Sequence, residues 1–435
     1  MTLSSRMLLG RILTRSGDQA WDFAVPIVLL QIFPGELRIA ALFYLLVKVA
    51  TVVFLPKFSS VIDRVDRLTA ARIGIFLQLF GVLLGFASVL ALAKTVGADF
   101  TSLAFLLPFS LLVLSGILCQ LGSTFMDISI ANDLVPSSFD GDVLSKFNSR
   151  LRQVDLFTEV TSPVAAGALL LLTSSYWPLL GFSLVAIWNV ISFLPEYGLL
   201  KSIFRERPEL RNKPIAVSIA SKVSLFDQLQ AGWRSFFEEP VAKVVLAYSL
   251  LWLSVLSPHG VLLTAFLKDG WKIPELTIGV FRGLGAVFGL VATVLFPIAV
   301  RKLNVHRASY LFLSFQTAMV CTALGVFLFA DSFGHGGFLA FILLSRVGLY
   351  GFSLGEMQIR QIEIAPAVRG EVNGFASALT ALATIGLFGA GVALPSTDQF
   401  KFLIFSSCGF VVMALLVYGS WYRKSRKMRD TFGST

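Results

Sequence analysis

Apolar runs of roughly twenty residues, the length a helix needs to cross a bilayer's hydrocarbon core, follow one another through almost the whole chain. A chain patterned this way cannot cover a water-soluble surface: 56% of its 435 residues are hydrophobic and 14% charged, and its mean hydropathy is +0.79. Lipid must be the solvent, and an all-α membrane protein is the fold class this implies. Charged or Pro/Gly-rich breaks divide the runs into twelve predicted spans, at 8–33, 37–61, 70–94, 102–131, 146–174, 176–203, 240–268, 275–298, 308–330, 336–362, 370–393 and 398–422. The first span carries Arg11, Arg15, Asp18 and Asp22 and has no clean apolar stretch, so it reads as a retained span and not a cleaved signal.

Every second connection is basic, including Arg64, Arg67 and Arg72, the stretch from Lys201 to Lys222, Arg301 to Arg307, and the tail from Arg423 to Arg429. Because positive loops stay in the cytoplasm, both termini are expected there, in a multi-pass protein of the cell's inner membrane. The same alternation accounts for the net charge of +10 without nucleic-acid binding. Cys119, Cys321 and Cys408 fall inside spans, at no spacing that builds a disulfide framework or a zinc site, and are expected to be buried small hydrophobes.

The longest break in hydropathy, RERPELRNKP and the residues after it, divides the chain. It predicts a first six-helix half at 1–203, a linker with an amphipathic segment at 204–239, a second half at 240–425 and a tail at 426–435. Within the linker, Leu225, Leu229, Trp233 and Phe236 recur at spacings of three and four, which suits a helix lying on the membrane surface. Six plus six spans around such a hinge resembles the major facilitator superfamily. So does the loop SSVIDRVDRLTAAR after the second span, with Asp63, Arg64 and Arg67 in the expected places and Ser59 and Ser60 where a glycine is usual.

Acidic partners add nothing to a positive-inside signal, so this loop also reads as a latch. Asp63 and Arg67 are expected to pair with Arg152, Asp155 or Glu159 at the end of span five, with Asp133 and Arg369 as further partners. The alternative is a set of static anchors at helix ends.

Charge at the bilayer centre costs ~2.5 to 3.5 kcal/mol even on insertion scales, so intramembrane acids mark function by default. Asp18 lies about halfway through the first span; a self-neutralising pair with Arg15 is the structural alternative. Span six places Asn189, Ser192 and Glu196 at i, i+3 and i+7, on one face, where they call for a shared partner. Pro195 within that stripe frees a carbonyl near Ile191 as a further ligand. Gln78 in span three is either a fourth ligand or a helix-to-helix hydrogen bond. Carboxylate, amide and hydroxyl oxygens without cysteine suit hard divalent cations. Asp18 and Glu196 would serve equally as proton carriers of an organic-solute or drug antiporter. In span seven, Ser257, Pro258, His259 and Gly260 interrupt the helix near mid-depth, and His259 offers an imidazole suited to a transition metal. No zincin, nucleophile-elbow or P-loop pattern supports an enzyme.

The stretches TRSGDQAWDFAVPIVLL, WNVISFLPEY, SRVGLYGFSLGEMQIRQ and RGEVNG resemble the ferroportin family of iron exporters over nearly the whole chain, and bacterial members in particular. The resemblance implies a metal site at Asp18, Asn189, Ser192 and Phe193 with Thr14 nearby, and calcium binding through Asp18, Gln78, Asn189 and Glu196. It aligns the vertebrate second-site aspartate with His259, the neighbouring hepcidin-engaged cysteine with Gly260, and the region of the family histidine with Leu387. Hepcidin regulation is therefore not expected, and His259 is the ligand left for a second site. The resemblance further implies Fe²⁺ export by alternating access in exchange for protons, no resident cofactor, and a monomer.

Overall fold

The structure, a computed structural model, describes residues 2–33, 37–97, 99–173, 179–212, 225–258, 260–273, 275–329, 334–394 and 399–432. Among them every regular element is helical, as lipid demands of a backbone that must satisfy its own polar groups. The helices are α1 (Leu3–Ile32), α2 (Leu37–Ser59), α3 (Arg67–Leu92), α4 (Leu103–Asp127), α5 (Gly141–Thr173), α6 (Leu180–Glu206) and α7 (Leu225–Glu238). The series continues with α8 (Ala242–Leu251), α9 (Val261–Ala265), α10 (Glu275–Leu303), α11 (Val305–Phe329), α12 (Gly334–Glu363), α13 (Arg369–Ala393) and α14 (Phe400–Phe432).

Nine of the described helices are long and apolar enough to cross a membrane. Helices α1 and α5, which carry several charges each, and the broken span α8–α9 complete twelve. The seventh span breaks earlier than its Pro-Gly signal suggests. Helix α8 ends at Leu251, and residues 252–258 and Gly260 are non-helical. Its freed backbone groups are met from neighbouring helices: Val255 N–H donates to Ser407 Oγ at 2.9 Å, and the Leu256 carbonyl accepts from Arg346 Nη2 at 2.7 Å. His259 itself lies outside the described residues. Helix α6, by contrast, runs on through Pro195.

The chain forms two compact units. The first gathers Met1–Ser138, Gln153–Lys222 and Ala365–Ala378; the second gathers Phe139–Arg152, Val223–Ile364 and Leu379–Thr435. The units therefore depart from a simple division at the linker: one end of α5 belongs to the second unit, and the first turns of α13 to the first. Each has its own aromatic core. In the first, Trp21 stacks on Phe182 with ring centroids 5.0 Å apart. In the second, Phe296, Phe338, Phe352 and Tyr418 are fully buried.

Large apolar side chains also face outward, among them Phe76 at 65% exposure and Phe329 at 89%, which identifies hydrocarbon as their surroundings. Helix α7 keeps its expected place in the linker. Of its apolar stripe Trp233 and Phe236 are described, with Phe236 buried and Phe237 exposed; the side chains of Leu225 and Leu229 lie outside the described set. The cysteines are not uniformly buried as expected. Cys408 is, but Cys321 is exposed, with the two sulfurs 3.4 Å apart, because the α11 face that carries Cys321 looks outward.

Candidate metal site and latch

The first unit holds a cavity of about 130 Å³ walled by five helices. Helix α1 contributes Asp18 and Asp22, α2 Tyr44 and Lys48, α3 Gln78, α4 Gln120 and Ser123, and α6 Asn189. Asp18 Oδ2 accepts from the Ser123 hydroxyl at 2.6 Å. Both polar atoms of the Gln78 carboxamide and Oδ1 of Asn189 are buried without a hydrogen-bond partner. Gln78 therefore does not make the helix-to-helix hydrogen bond that was its alternative reading. A buried unpartnered amide is costly, which marks these two as groups held ready for something that enters.

Close packing of α1 on α6 makes this arrangement possible. A Cβ at Gly17 would stand 3.2 Å from Asn189 Oδ1 and from Ser192 Oγ, so any larger residue would push these side chains back by a few tenths of an ångström from where they face the cavity. Ser192 donates to the Asn189 carbonyl at 2.7 Å, and its neighbour Phe193 is fully buried.

The stripe on α6 does not share one partner. Glu196 lines a separate, smaller cavity of about 20 Å³ with Thr14, Arg6 and Arg11, and its Oε2 is buried without a hydrogen-bond partner. Thr14 donates to the Gly10 carbonyl at 3.0 Å. Glu196 is seven residues beyond Asn189, which at 1.5 Å per residue is about 10 Å along the helix. The face is shared and the depth is not.

Arg15 makes no direct ion pair with Asp18. Its Nη2 lies 2.5 Å from Asp127 Oδ2, while Arg11 grips Asp155 with two bonds, at 2.8 and 3.0 Å, and also reaches Asp127. These four residues fasten α1 to α4 and α5. They also correct the latch reading, since Asp155 pairs with α1 and not with the loop after α2.

That loop is anchored differently. Arg67 forms a buried two-bond pair with Asp133 at 2.9 and 3.0 Å, and donates to the Leu210 carbonyl and the Ser137 hydroxyl, each at 2.7 Å. Asp133 lies in a π-helical turn, Ile128–Leu134, that continues α4 and re-aims its side chains. Arg369 Nη1 stands 3.8 Å from Asp133 Oδ1. Asp63 accepts from the backbone N–H groups of Gly370 and Glu371, each at 2.8 Å, and so caps the start of α13. At Gly374 a Cβ would fall 1.7 Å from Ser59 Oγ, and at Gly370 2.5 Å from the Ser59 carbonyl, so the end of α2 seats directly on α13. Arg152 lies in the second unit, where its guanidinium sits 4.8 Å from the centre of the Tyr350 ring.

Sequence reasoning overlooked Lys48, Ser123, Gln120 and Asp127. Lys48 and Asp127 carried a signal, a charge inside or at the edge of an apolar run; the hydroxyl and amide carried none.

A family model, Ferroportin1 (FPN1), matches residues 2–411. The chain belongs to the ferroportin family. Among curated relatives, "Ferreportin" of Bdellovibrio bacteriovorus is 44% identical over 424 residues, covering 97% of this chain and 95% of the relative. Among solved structures, a bacterial homologue of the iron transporter ferroportin in an outward-facing state superposes with a TM-score of 0.89 at 44% identity, covering 97% of this chain and 99% of that one. The inward-facing state of such a homologue gives 0.65 at 43% identity, covering 97% and 98%. The proton:xylose symporter XylE, at 13% identity and a TM-score of 0.64 with 95% and 94% covered, shows the major facilitator fold. In this ferroportin-family chain, the cavity at Asp18, Gln78 and Asn189 and the polar cluster at Asp63, Arg67, Asp133 and Arg369 are both contained within the first unit.

Proposed function

We propose that this protein exports a divalent metal ion, Fe²⁺ in the first place, by alternating access in a bacterial inner membrane, with both termini in the cytoplasm. The carrying observation is the convergence of the Asp18 carboxylate with the unpartnered carboxamide oxygens of Gln78 and Asn189 on one cavity. Such oxygen donors suit hard and borderline divalent ions. Among the described residues no group of three His, Cys, Asp or Glu side chains comes close enough to cage a metal. One carboxylate with amides makes a weak, reversible site, which is what a carrier requires. Solved relatives described as bacterial homologues of the iron transporter ferroportin, in outward- and inward-facing states, support both the cargo and the cycle.

Size argues against the rival reading. The cavity, about 130 Å³, is smaller than the roughly 300–1,000 Å³ that enclose drug-sized ligands, so an organic-solute antiporter of this fold is the weaker case. Exporting a divalent ion against an inside-negative potential costs about 4.6 kcal/mol per 100 mV, twice the single-charge figure, and something must offset it. Proton exchange would do so, with Asp18 and Glu196 as the titrating ligands: protonation weakens a metal site and deprotonation restores it. Calcium fits the same oxygen set, with Asp18, Gln78 and Asn189 on one cavity and Glu196 about two turns away, so binding through all four requires α1 and α6 to rearrange. Ser192, Phe193 and Thr14 line or support this route, and His259 is proposed for a second site in the other half. The pairs around Asp63, Arg67, Asp133 and Arg369 serve as the cytoplasmic latch. The working unit is proposed to be a monomer that hepcidin does not regulate.

The test is reconstitution in liposomes with entry of Fe²⁺, Co²⁺ and Ca²⁺ followed by a metal-sensitive dye, for wild type, Asp18→Ala and Asn189→Ala. Metal flux lost in both variants is expected. Flux indifferent to both substitutions would sink the assignment and promote the organic-solute reading.

A further inference from the structure

A metal reading of the cavity uses Asp18, Gln78 and Asn189 and leaves Lys48 unexplained. Lys48 is the twelfth residue of the 23-residue α2, so its Cα stands about 16 Å from either helix end, close to mid-depth. A lysine so placed costs ~2.5 to 3.5 kcal/mol on insertion scales and ordinarily runs its amine out to an interface. Here the amine turns inward. Lys48 Nζ donates to Gln120 Oε1 at 3.0 Å, and the other end of that amide donates to Thr124 Oγ1 at 3.2 Å. One turn earlier on α2, the Tyr44 hydroxyl donates to the Asp22 carbonyl at 2.7 Å, tying the helix to α1. The ammonium is thus held at the cavity wall by Gln120, within electrostatic reach of the Asp22 carboxylate on the same wall.

The charge balance gives this placement a meaning. Arg15 also reaches the cavity wall, but it is committed to Asp127. Arg15 and Asp127 offset one another, with the Arg15 charge still acting on Asp18 and Asp22, and the remaining charged groups of the wall are Asp18, Asp22 and Lys48. Without the lysine, the second carboxylate on this wall would add to the attraction for a divalent ion and tighten a site that a carrier needs weak. With it, the entering ion meets a like charge fixed to the wall.

We propose that Lys48 is a tethered competitor of the cargo: its ammonium is the counter-ion of Asp22 in the unloaded cavity, and its repulsion of a divalent ion bound at Asp18 keeps the site weak enough to release. This rests on the metal-carrier reading above and adds a residue that sets affinity and release without ligating the metal.

The experiment compares full-length wild type with K48Q, K48M, K48R and D18A, by calorimetric titration with Co²⁺ in detergent and by Co²⁺ flux into liposomes. The expected result is that K48Q binds Co²⁺ on the order of tenfold more tightly and turns over more slowly, with KM and kcat falling together. K48R keeps the charge and should restore both values. K48M removes the midplane charge in an apolar side chain of similar length, and carries the test should K48Q fail to fold. A K48Q or K48M protein that binds Co²⁺ no more tightly than wild type, while D18A abolishes binding, overturns the role of Lys48 and leaves the metal reading intact. Wild type that binds no Co²⁺ overturns both.

Discussion

Replacing Asp63 by alanine should loosen the start of α13 by an amount the structure allows to be worked out. The carboxylate accepts two backbone N–H bonds of 2.8 Å, from Gly370 and Glu371, in a buried setting. Hydrogen bonds to a charged acceptor contribute about 1.5 to 3 kcal/mol each, so the low end for the pair is about 3 kcal/mol. At 1.4 kcal/mol per factor of ten, that is about a hundredfold in the population of the undocked helix start. The readout is amide hydrogen exchange of peptides spanning residues 366–376 in the purified protein. Wild type should protect these amides, and D63A should exchange them about a hundredfold faster. D63N keeps one acceptor oxygen and should lie between. Peptides from α14, in the other unit, serve as the control and should not change. Equal protection in wild type and D63A would refute the reasoning, because the cap would then contribute nothing that the Ser59 contact with Gly374 does not already supply.

Two further outcomes follow from the packing. G17A should lower metal affinity by roughly fivefold, the equivalent of about 1 kcal/mol of displaced Asn189, while thermal stability holds because alanine favours a helix over glycine; titration of wild type and G17A with Co²⁺ decides it, and unchanged affinity would show that Asn189 need not sit where it does. Asp66, in the loop before α3, caps that helix through Leu68 and Thr69 N–H, each at 3.1 Å. Partial burial works to raise its carboxyl, but bonds from Thr69 and the pair with Arg211 outweigh this and hold it below the usual carboxylate range. A depressed carboxyl stabilises the fold above its unfolded value of about 3.9 and ceases to do so as pH falls through the folded value. D66A should therefore melt lower than wild type at neutral pH, by the equivalent of about 1 kcal/mol, with the gap closing below about pH 4.

The twelve spans were legible because lipid leaves a backbone so few options that apolar length alone decides the element. The same reasoning shows where hydropathy weakens. By length and composition, the three spans that fall short are the first, fifth and seventh. Two carry Arg11, Arg15, Asp18 and Asp155, which the first unit uses for its cavity and its α1 anchor, and the third is broken where Ser407 and Arg346 take over its backbone groups. A span that looks poor to a hydropathy window is here a span with chemistry to perform.

What stayed hidden was the choice of partner and the depth. Periodicity reports which face of α6 carries Asn189, Ser192 and Glu196, since 3.6 residues make a turn, but it says nothing of what stands opposite each along the axis. Asn189 looks across to Asp18 and Gln78, and Glu196, about two turns on, to Thr14 and Arg11. One stripe thus serves two cavities. Arg15 and Asp18, three residues apart on α1, likewise pointed to each other by spacing. Yet Asp127 at the end of α4 offered Arg15 a better partner, at 2.5 Å. That diversion leaves Asp18 with the Ser123 hydroxyl at 2.6 Å as its hydrogen-bond donor among the described residues, so its carboxyl lines the cavity without a direct ion pair to Arg15. The anchor and the candidate site are in this sense one arrangement: by claiming the arginines of α1, Asp127 and Asp155 leave the Asp18 carboxyl on the cavity wall for a metal to pair with.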